Sequence, residues 1–289
     1  MTLARRHFSV LYNLCMIELP EARVIARGLR REIVGKKIMR VGGNYTDHKF
    51  TWYEGEPNTY ENKLVGKKVT KIVDRNFYVE IEIEDYVLYM RDGANVRYYA
   101  AGHAKPEKSK LLLEFEDGSF VNVTVQMYAC IGLYKKGVES GNEYYVIELN
   151  GVGALDERFD FDYFKSLLDE KTSKLSVKGF LATGQRILGI GNGVVQDIMF
   201  NAGLHPKRKM NTLSEEEVRE LYEATVGTLN EMIDGGGRDT EKNIYGEEGG
   251  YHTILSSKSY KDGCPKCGSA IKKEQYLGGS IYYCPVCQK

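Results

Sequence analysis

The hydrophobic pattern changes period along the chain and predicts two structurally different halves. Between about residues 37 and 149, β-branched and aromatic residues alternate with polar ones, which is typical of half-buried strands. After Gly151-Val152-Gly153 the apolar residues recur at helical spacing. The pattern therefore predicts an α+β protein, with an N-terminal antiparallel β-sandwich followed by a helical domain. The predicted strands are residues 68–72, 78–83, 87–90, 96–99, 111–115 and 120–127, and the predicted helices are residues 161–168, 176–182, 194–202 and 214–233.

A further helix is predicted ahead of the strands. Pro20 and Glu21 favour a helix start, because proline fits the first helical position and a carboxylate there complements the helix dipole. Apolar residues follow at helical spacing from Ala22, and Gly35 provides a stop. Glu18 stands just before this long, buried helix. On these residues alone, its acids are either ordinary complements to the dipole or functional carboxylates.

Local turn and capping signals support the element boundaries. Asp117-Gly118 separates two alternating segments and predicts a β-hairpin. Ser214 and Glu217 form a capping-box pattern at the start of the last helix, and Gly235-Gly236-Gly237 ends it. The polar, glycine-rich stretch at residues 238–250 is either a plain linker or a loop that a substrate orders.

Composition excludes several classes of protein. The 289 residues include 40 basic and 40 acidic side chains, so no overall charge points to nucleic acid or to an acidic substrate. No apolar run approaches the roughly 20 residues that span a bilayer, and we expect a cytoplasmic monomer without membrane contact. Residues 1–15 contain only a short apolar patch and no signal-cleavage pattern. We interpret them as an extension outside the fold, with either Met1 or Met16 as the true start.

Cysteine spacing predicts a metal site near the C-terminus. Cys264 and Cys267 form one Cys-x-x-Cys pair, and Cys284 and Cys287 form a second one. Each pair can place two thiolates on one metal ion, and a hairpin between the pairs would close a tetrahedral site. Because no ligand position is left open, we expect one structural zinc ion per chain. Such a cluster also indicates a reducing compartment, not a disulfide framework.

Two local basic segments favour contact with phosphates. The cysteine-rich segment carries Lys272 among several lysines, although such ribbons also serve as protein-binding or purely structural caps. Gly189-Ile190-Gly191-Asn192-Gly193 is a tight turn into a helix start, where N–H groups attract anions. Its glycine spacing differs from that of the dinucleotide-binding fingerprint, and no strand precedes it. A cluster of basic residues flanks this turn: Lys171, Lys174, Lys178, Arg186, Lys207, Arg208 and Lys209.

Three motifs together resemble one known family. Glu18-Leu19-Pro20-Glu21 is similar to the N-terminal signature of the formamidopyrimidine-DNA glycosylase and endonuclease VIII family. The cysteine spacing, with Cys287-Gln288-Lys289 at the end, resembles its zinc finger. The third motif resembles its helix-two-turns-helix and comprises Gln185, Gly189, Gly191, Asn192, Asp197, Phe200, Ala202-Gly203 and His205-Pro206. The resemblance covers residues 16–289 and keeps the order of the motifs.

The resemblance implies a fold, a partner and site residues. It implies a sandwich domain at residues 16–150, a helix-two-turns-helix domain at 151–255 and a zinc finger at 256–289, which hold bent duplex DNA with the damaged base flipped out. Glu18 takes the place of the catalytic acid that protonates the sugar or activates water, and Glu21 that of a supporting carboxylate. The implied DNA contacts are Asn192 with the N–H of Gly193, together with Arg75, Lys178 and Lys272.

Departures from the family pattern concern the catalytic groups. The family nucleophile is an N-terminal proline, and this position holds Ile17. Isoleucine does not permit the usual removal of the preceding methionine, so a chain starting at Met16 keeps that residue. Arg75 stands in a turn where the family has a lysine, and the finger arginine is replaced near Gly278-Gly279. The loop that fills the void left by the flipped base is assigned to residues 89–93.

Three functions remain compatible with these residues. We favour a base-excision-repair DNA glycosylase that binds damaged or abasic duplex DNA and removes a base hydrolytically through Glu18. The alternative is a catalytically silent relative that serves as a damaged-DNA-binding module. The third is a bifunctional glycosylase and lyase that uses the α-amine of Met16, because an internal peptide nitrogen cannot act as a nucleophile.

Overall fold

The computed structural model describes residues 17–43, 50–138 and 140–289, so the predicted extension at residues 1–15 and Met16 lie outside the described residues. The described chain forms two compact units. The first, here called the sheet unit, contains the described residues up to Asn150 together with residues 236–249. The second, the helical unit, contains residues 151–235 and 250–289. Across the described ranges, no helix is long and apolar enough to cross a membrane.

The sheet unit is built on one seven-stranded sheet with the order β1-β6-β7-β5-β4-β3 and with β2 added on β7. All pairings are antiparallel except β2 with β7. The sheet takes the place of the predicted sandwich and confirms its antiparallel character. The elements are α1 (Leu19–Ile33), β1 (Ile38–Gly42), β2 (Thr51–Glu54), α2 (Tyr60–Leu64), β3 (Val69–Arg75), β4 (Tyr78–Ile83), β5 (Tyr86–Tyr99), β6 (Leu111–Phe115), β7 (Phe120–Lys135) and α3 (Glu143–Asn150).

Helix α1 supplies one side of the core of the sheet unit. Its apolar stripe of Ala22, Ile25, Ala26, Leu29 and Ile33 is buried in the same cluster as the inward-facing strand residues. This confirms the predicted buried helix, which has a proline in its first turn. The helix ends before a glycine with a φ of 88°, a conformation that other residues adopt only at a cost. Burial of this stripe therefore fixes the start of α1 against the sheet.

Strands β5 and β7 are longer than the pattern predicts. β5 joins two predicted strands into one, and its pairing with β7 shifts register between Asp92 and Ala94. Residues 89–93 therefore lie inside β5 and not in a loop, so the assignment of a void-filling loop to them is wrong. The sequence pattern breaks at Arg91 and Asp92, because two charged residues interrupt the alternation of apolar and polar positions there. In the structure these two side chains pair with each other at 2.9 Å, and the strand continues through them.

The described residues of the helical unit contain four α-helices, three short 3-10 helices and a small hairpin. The α-helices and the strands of the hairpin are α4 (Phe161–Ser166), α5 (Val177–Ala182), α6 (Val194–Asn201), α7 (Glu215–Asp234), β8 (Lys272–Tyr276) and β9 (Gly279–Tyr283). Ser214 and Glu217 form the predicted capping box at the start of α7. Strands β8 and β9 pair between the two cysteine pairs. These elements confirm the predicted α+β class.

Residues 236–249 pack with the sheet unit, although the sequence analysis assigns them to the helical domain. The reason is a tertiary contact, because Ile244 is 1% exposed and belongs to the core of the sheet unit. Its backbone carbonyl accepts the N–H of Tyr98 at 2.8 Å. A Cβ atom on Gly28 would lie 2.7 Å from the Ile244 Cδ1, so the glycine makes room for this side chain. The segment is thus an anchored part of the sheet unit.

Candidate functional site

The carboxylates of Glu18 and Glu21 are buried at the start of α1. Ile17 precedes them in an extended segment and donates its backbone N–H to the carbonyl of Asp92 at 2.9 Å. Glu18 is the N-cap residue of α1, but its side chain makes no capping hydrogen bond. The Glu18 residue is 3% exposed and Glu21 is 6% exposed. The two predicted acids therefore lie together inside the sheet unit, held by the helix start.

Arg238 is the buried cation of this acidic cluster. Its Nε donates to the Glu21 Oε1 at 2.9 Å, and its Nη2 donates to the Glu21 Oε2 at 2.8 Å. Its Nη1 lies 3.6 Å from the Glu18 Oε2. Glu241 is a third carboxylate, 3.9 Å from the Nη2. One guanidinium thus faces three acids.

The energetics of this cluster depend on the arginine. Burial lowers the pKa of Arg238, but attraction to Glu21 and Glu18 raises it further, so the pKa lies above its ordinary value. A buried carboxylate is stable only when it is paired or hydrogen-bonded. Arg238 was not predicted as a site residue from the sequence, because it stands in a polar, glycine-rich stretch. The one local signal is the preceding run of three glycines, which lets the chain turn sharply.

A cavity of about 20 Å³ adjoins Glu21. It is lined by Ile17, Glu21, Ile25 and Asp92, among others. A cavity of this size admits about one water molecule when polar groups line it. The site therefore has the dimensions for a water molecule beside the start of α1, within the sheet unit.

The four predicted cysteines form one cluster in the helical unit. Cys264, Cys267, Cys284 and Cys287 place their Sγ atoms within 4.8 Å of one another. The Cys264 and Cys287 sulfurs are 3.7 Å apart, and the Cys267 and Cys284 sulfurs are 3.6 Å apart. A tetrahedral zinc ion with Zn–S bonds of about 2.3 Å separates its sulfurs by about 3.8 Å. The cluster therefore fits zinc.

Polar side chains of α6 fasten the cysteine-rich segment to the helical unit. Gln196 accepts the N–H of Tyr282 at 3.1 Å and donates to the Ser280 carbonyl at 3.2 Å. Asp197 accepts two backbone N–H groups, from Ile254 at 2.9 Å and from Leu255 at 2.7 Å. These contacts hold the β8–β9 hairpin and the chain that leads to it against the glycine turn.

The glycine turn places two of the predicted DNA contacts beside this hairpin. Gly193 is the N-cap of α6, which begins at Val194 as predicted. The Asn192 Nδ2 donates to the Ser280 carbonyl of β9 at 3.4 Å. Lys272 is exposed at the start of β8. The helical unit thus combines a helix N-terminus, an amide side chain and a surface lysine.

Lys178 and Arg75 differ from their predicted surroundings. Lys178 is 2% exposed, and its Nζ donates to the Tyr276 carbonyl at 2.8 Å, so it is not a surface member of the basic cluster that flanks the glycine turn, and its contact with DNA stays a prediction. Burial lowers the pKa of Lys178 to about 8. Arg75, at the end of β3 in the sheet unit, pairs through its Nε with the buried Glu80 at 3.0 Å. Its side chain remains 40% exposed, so it can also meet solvent on one side.

Two family models match the chain. The model of the formamidopyrimidine-DNA glycosylase N-terminal domain matches residues 16–125. The model of the formamidopyrimidine-DNA glycosylase H2TH domain matches residues 151–243. Together the two models cover more than half of the chain. The first model begins at Met16, which agrees with the position assigned to the N-terminal signature.

Relatives and solved structures agree with these matches. The chain is 29% identical over 280 residues to a formamidopyrimidine-DNA glycosylase of Brevibacillus brevis, covering 95% of this chain and 99% of the relative. It is 27% identical to the enzyme of that name from Streptococcus pneumoniae, with the same coverage. The structure resembles Lactococcus lactis Fpg solved with abasic-site DNA, at a TM-score of 0.79, 25% identity, and 94% and 99% coverage of the two chains. A complex of that protein with FAPY-dG-containing DNA has a TM-score of 0.78 at 25% identity, with coverage of 94% and 100%. On its two matching domains, its end-to-end relatives and its Cys₄ cluster, this chain belongs to the formamidopyrimidine-DNA glycosylase family.

Proposed function

We propose that this protein is a DNA glycosylase that binds damaged or abasic duplex DNA and removes a damaged base hydrolytically through Glu18. The observation that carries the proposal is the end-to-end similarity to formamidopyrimidine-DNA glycosylases, which spans 99% of those relatives. The acid pair Glu18 and Glu21 lies within the matched N-terminal domain. The solved complexes of the Lactococcus lactis relative with abasic-site DNA make the same class of partner the first expectation for this chain.

The helical unit supplies groups suited to the DNA backbone. The dipole at the N-terminus of α6 favours a phosphate. Asn192 and Gly193 stand at this helix start, and Lys272 is exposed on the hairpin held against it. Such contacts position a duplex without reading its sequence. We assign these three residues to the phosphate backbone, and we assign the exposed side of Arg75 in the sheet unit to the same partner.

Hydrolytic chemistry needs a carboxyl group near the sugar and a water molecule. A positioned general acid or base typically contributes about 10²–10⁴-fold to a rate. Glu18 is the candidate for this role, and Glu21 supports it by holding Arg238. Covalent chemistry at residue 17 has no support, because the Ile17 nitrogen is a peptide N–H bonded to the Asp92 carbonyl. A peptide nitrogen has no basic lone pair with which to attack the sugar.

The cysteine cluster is assigned to one structural zinc ion per chain. Its four thiolates leave no position open for a substrate or a water molecule. Zinc in this place would join the two ends of the cysteine-rich segment and so hold the β8–β9 hairpin. Its contribution is therefore to the fold of the DNA-contacting hairpin and not to the chemical step.

The second candidate is a damaged-DNA-binding module without catalysis. Ile17 favours it, since the residue at the position of the family nucleophile is apolar and 3% exposed. A bifunctional glycosylase and lyase acting through the Met16 amine is the third candidate, and that residue lies outside the described part of the chain. All three candidates share the DNA-binding surface and differ only in the chemical step.

Base release separates the first two candidates. The full-length protein is incubated with duplexes that carry single oxidised, alkylated or deaminated bases, and the released base is measured by mass spectrometry. We expect release from at least one duplex, and we expect Glu18→Gln to abolish release while DNA affinity is kept. Glu61→Gln is the matched control, because Glu61 is an exposed acid on α2 in the same unit. Tight binding without release from any duplex would instead establish the binding module.

Covalent trapping tests the third candidate. Lyase chemistry passes through a Schiff base between an amine and the abasic sugar, and borohydride reduces this bond to a stable one. We expect no trapped complex with abasic duplex. A trapped complex whose tryptic map places the sugar on an N-terminal amine would overturn the hydrolytic proposal and establish the lyase.

A further inference from the structure

Arg238 is the one cation whose contacts to both signature acids the structure describes. It is 3% exposed, and it reaches the start of α1 from a segment more than 200 positions later in the chain. We propose that Arg238 is a positioning residue that holds the Glu18 carboxylate in place and in its ionised form. The inference rests on the proposed hydrolytic function and adds to it a residue and a direction of proton transfer.

Glu18 and Glu21 contact Arg238 in different ways. Glu21 binds Arg238 through two parallel hydrogen bonds, at 2.9 and 2.8 Å, which fixes the plane of the guanidinium. The remaining nitrogen, Nη1, then faces Glu18 at 3.6 Å. Of the two carboxylates, Glu18 therefore has the longer contact with Arg238. Glu21 therefore orients the arginine, and the arginine acts on Glu18.

The charge of Arg238 sets which form of Glu18 is favoured. A carboxyl group that is removed from water favours its neutral form, whereas a cation within about 4–6 Å favours the carboxylate. With Arg238 in place, Glu18 enters the reaction as a base. The carboxylate takes a proton from a water molecule, whose oxygen forms a bond to the anomeric carbon of the sugar. The N-glycosidic bond breaks, and the base leaves with the bonding electron pair and is protonated by solvent.

The backbone of segment 236–249 positions Arg238 next to the two acids. Gly236 and Gly237 both have positive φ angles, of 75° and 103°, at the entry to the segment. At its exit, the N–H of Gly249 donates to the Arg238 carbonyl at 3.2 Å. A Cβ on Gly249 would lie 2.0 Å from the Gly237 carbonyl oxygen, so the two ends of the segment approach as closely as glycine allows. Ile244 anchors the middle of the segment in the core.

Other charged groups near Glu18 and Glu21 also affect the pH at which Glu18 titrates. Glu241 adds a further negative charge at 3.9 Å from Arg238. Asp92 is half-buried, accepts the backbone N–H of Ile17 through its carbonyl, and is paired with Arg91 at 2.9 Å. The charged residues that line the neighbouring cavity are Glu21, Asp92, Arg97, Glu241 and Lys242. Because Glu21 and Arg238 are so close, a variant of Arg238 alone would leave two acids facing each other.

The test therefore compares two variants that both lack the Glu21 charge. The protein is labelled with carboxyl-enriched glutamate, and the Glu18 resonance is identified by its loss in Glu18→Gln. The pH midpoint of this resonance is then measured in Glu21→Gln and in the double variant Glu21→Gln/Arg238→Met. We expect the midpoint to lie at least about one pH unit higher in the double variant. Glu21→Gln/Arg238→Lys restores the cation and should return the midpoint towards that of Glu21→Gln.

The outcomes distinguish this inference from the proposed function. Equal midpoints in the two backgrounds would overturn the role of Arg238, whatever the activity of the protein. Glu21→Gln/Arg238→Gln keeps a polar side chain and provides the comparison if the methionine variant does not fold. If the midpoint moves as expected but the wild-type protein releases no base, the positioning role stands and the hydrolytic function fails. Where base is released, the acidic limb of its pH profile should move with the Glu18 midpoint.

Discussion

The buried carboxylates of the sheet unit differ in the cations and hydrogen-bond donors that offset the cost of their burial. Glu18 and Glu21 have Arg238, and Glu80 has Arg75 and the hydroxyl of Tyr145 at 2.6 Å. The pKa of Glu80 is nevertheless raised, because burial outweighs these contacts. Buried glutamates thus differ in how strongly their ionised form is stabilised. The difference depends on the cation and the hydrogen-bond donors that the fold brings to each carboxylate.

Glu148 is a buried carboxyl group whose ionisation should lower the stability of the fold. It lies on α3, and its Oε1 accepts the N–H of Phe77 at 3.1 Å. Burial raises the pKa of Glu148 to about 7, above the model-compound value of 4.5. Between these two values the folded state binds more protons than the unfolded state, so the free energy of unfolding falls as the pH rises. Glu148→Gln removes this dependence and should be the more stable form near pH 8, by about 2–3 kcal/mol.

Urea denaturation at two pH values checks this prediction. Near pH 4, below both pKa values, the pH-linked advantage of Glu148→Gln should vanish, and it should grow steadily up to about pH 8. Glu61→Gln changes an exposed acid in the same unit and should follow the wild type at every pH. A constant difference between wild type and Glu148→Gln across this range would mean that Glu148 does not titrate there.

Whole elements were predictable where the signal is local. Helix α7 begins at a capping box formed by Ser214 and Glu217, and all of its determinants lie within four residues. The glycine turn before α6 was found for the same reason. The long strand β5 was not, because the pairing of Arg91 with Asp92 allows charges in positions that the alternation rule leaves to apolar residues.

Segment 236–249 has the composition of a loop and the packing of a core element. Its polar, glycine-rich sequence carries one apolar residue that decides its position, Ile244, which fills the space above Gly28. The exposed Tyr245 adds hydrogen bonds to Arg31 and Glu32. No rule of local sequence links these residues to α1, so the anchoring could be recognised only in the folded structure.

Ile244→Ala should release this segment. Loss of a buried isoleucine side chain costs about 2–5 kcal/mol where the site cannot collapse. We expect faster amide exchange at Tyr98, whose N–H is bonded to the Ile244 carbonyl, and faster proteolysis within residues 236–249. Tyr245→Phe is the matched control, because it removes only exposed hydrogen bonds from the next position. Equal exchange in both variants would mean that Arg238, and not Ile244, holds the segment.

The molecule as a whole joins two units that are stabilised in different ways. The sheet unit has an extensive apolar core beneath α1. The cysteine-rich segment of the helical unit has only a small cluster, which contains Phe200, Leu255, Tyr282 and two of the cysteines. The sequence predicted both the metal cluster and the signature acids, because each is a short motif. It could not predict Arg238, which meets Glu21 across more than 200 residues.

The metal centre allows a prediction for the whole molecule. Cys264→Ser removes one of four thiolates, and structural zinc sites contribute about 10–16 kcal/mol of binding free energy in model peptides. We expect loss of bound zinc, rapid amide exchange in β8 and β9, and at least about tenfold weaker binding to abasic duplex. The sheet unit should keep its exchange pattern, because its core contains none of these cysteines. Cys130→Ser is the control, since it changes a buried thiol outside the cluster and should retain zinc. Undiminished DNA affinity in a zinc-free protein would mean that the β8–β9 hairpin is not part of the DNA-binding surface.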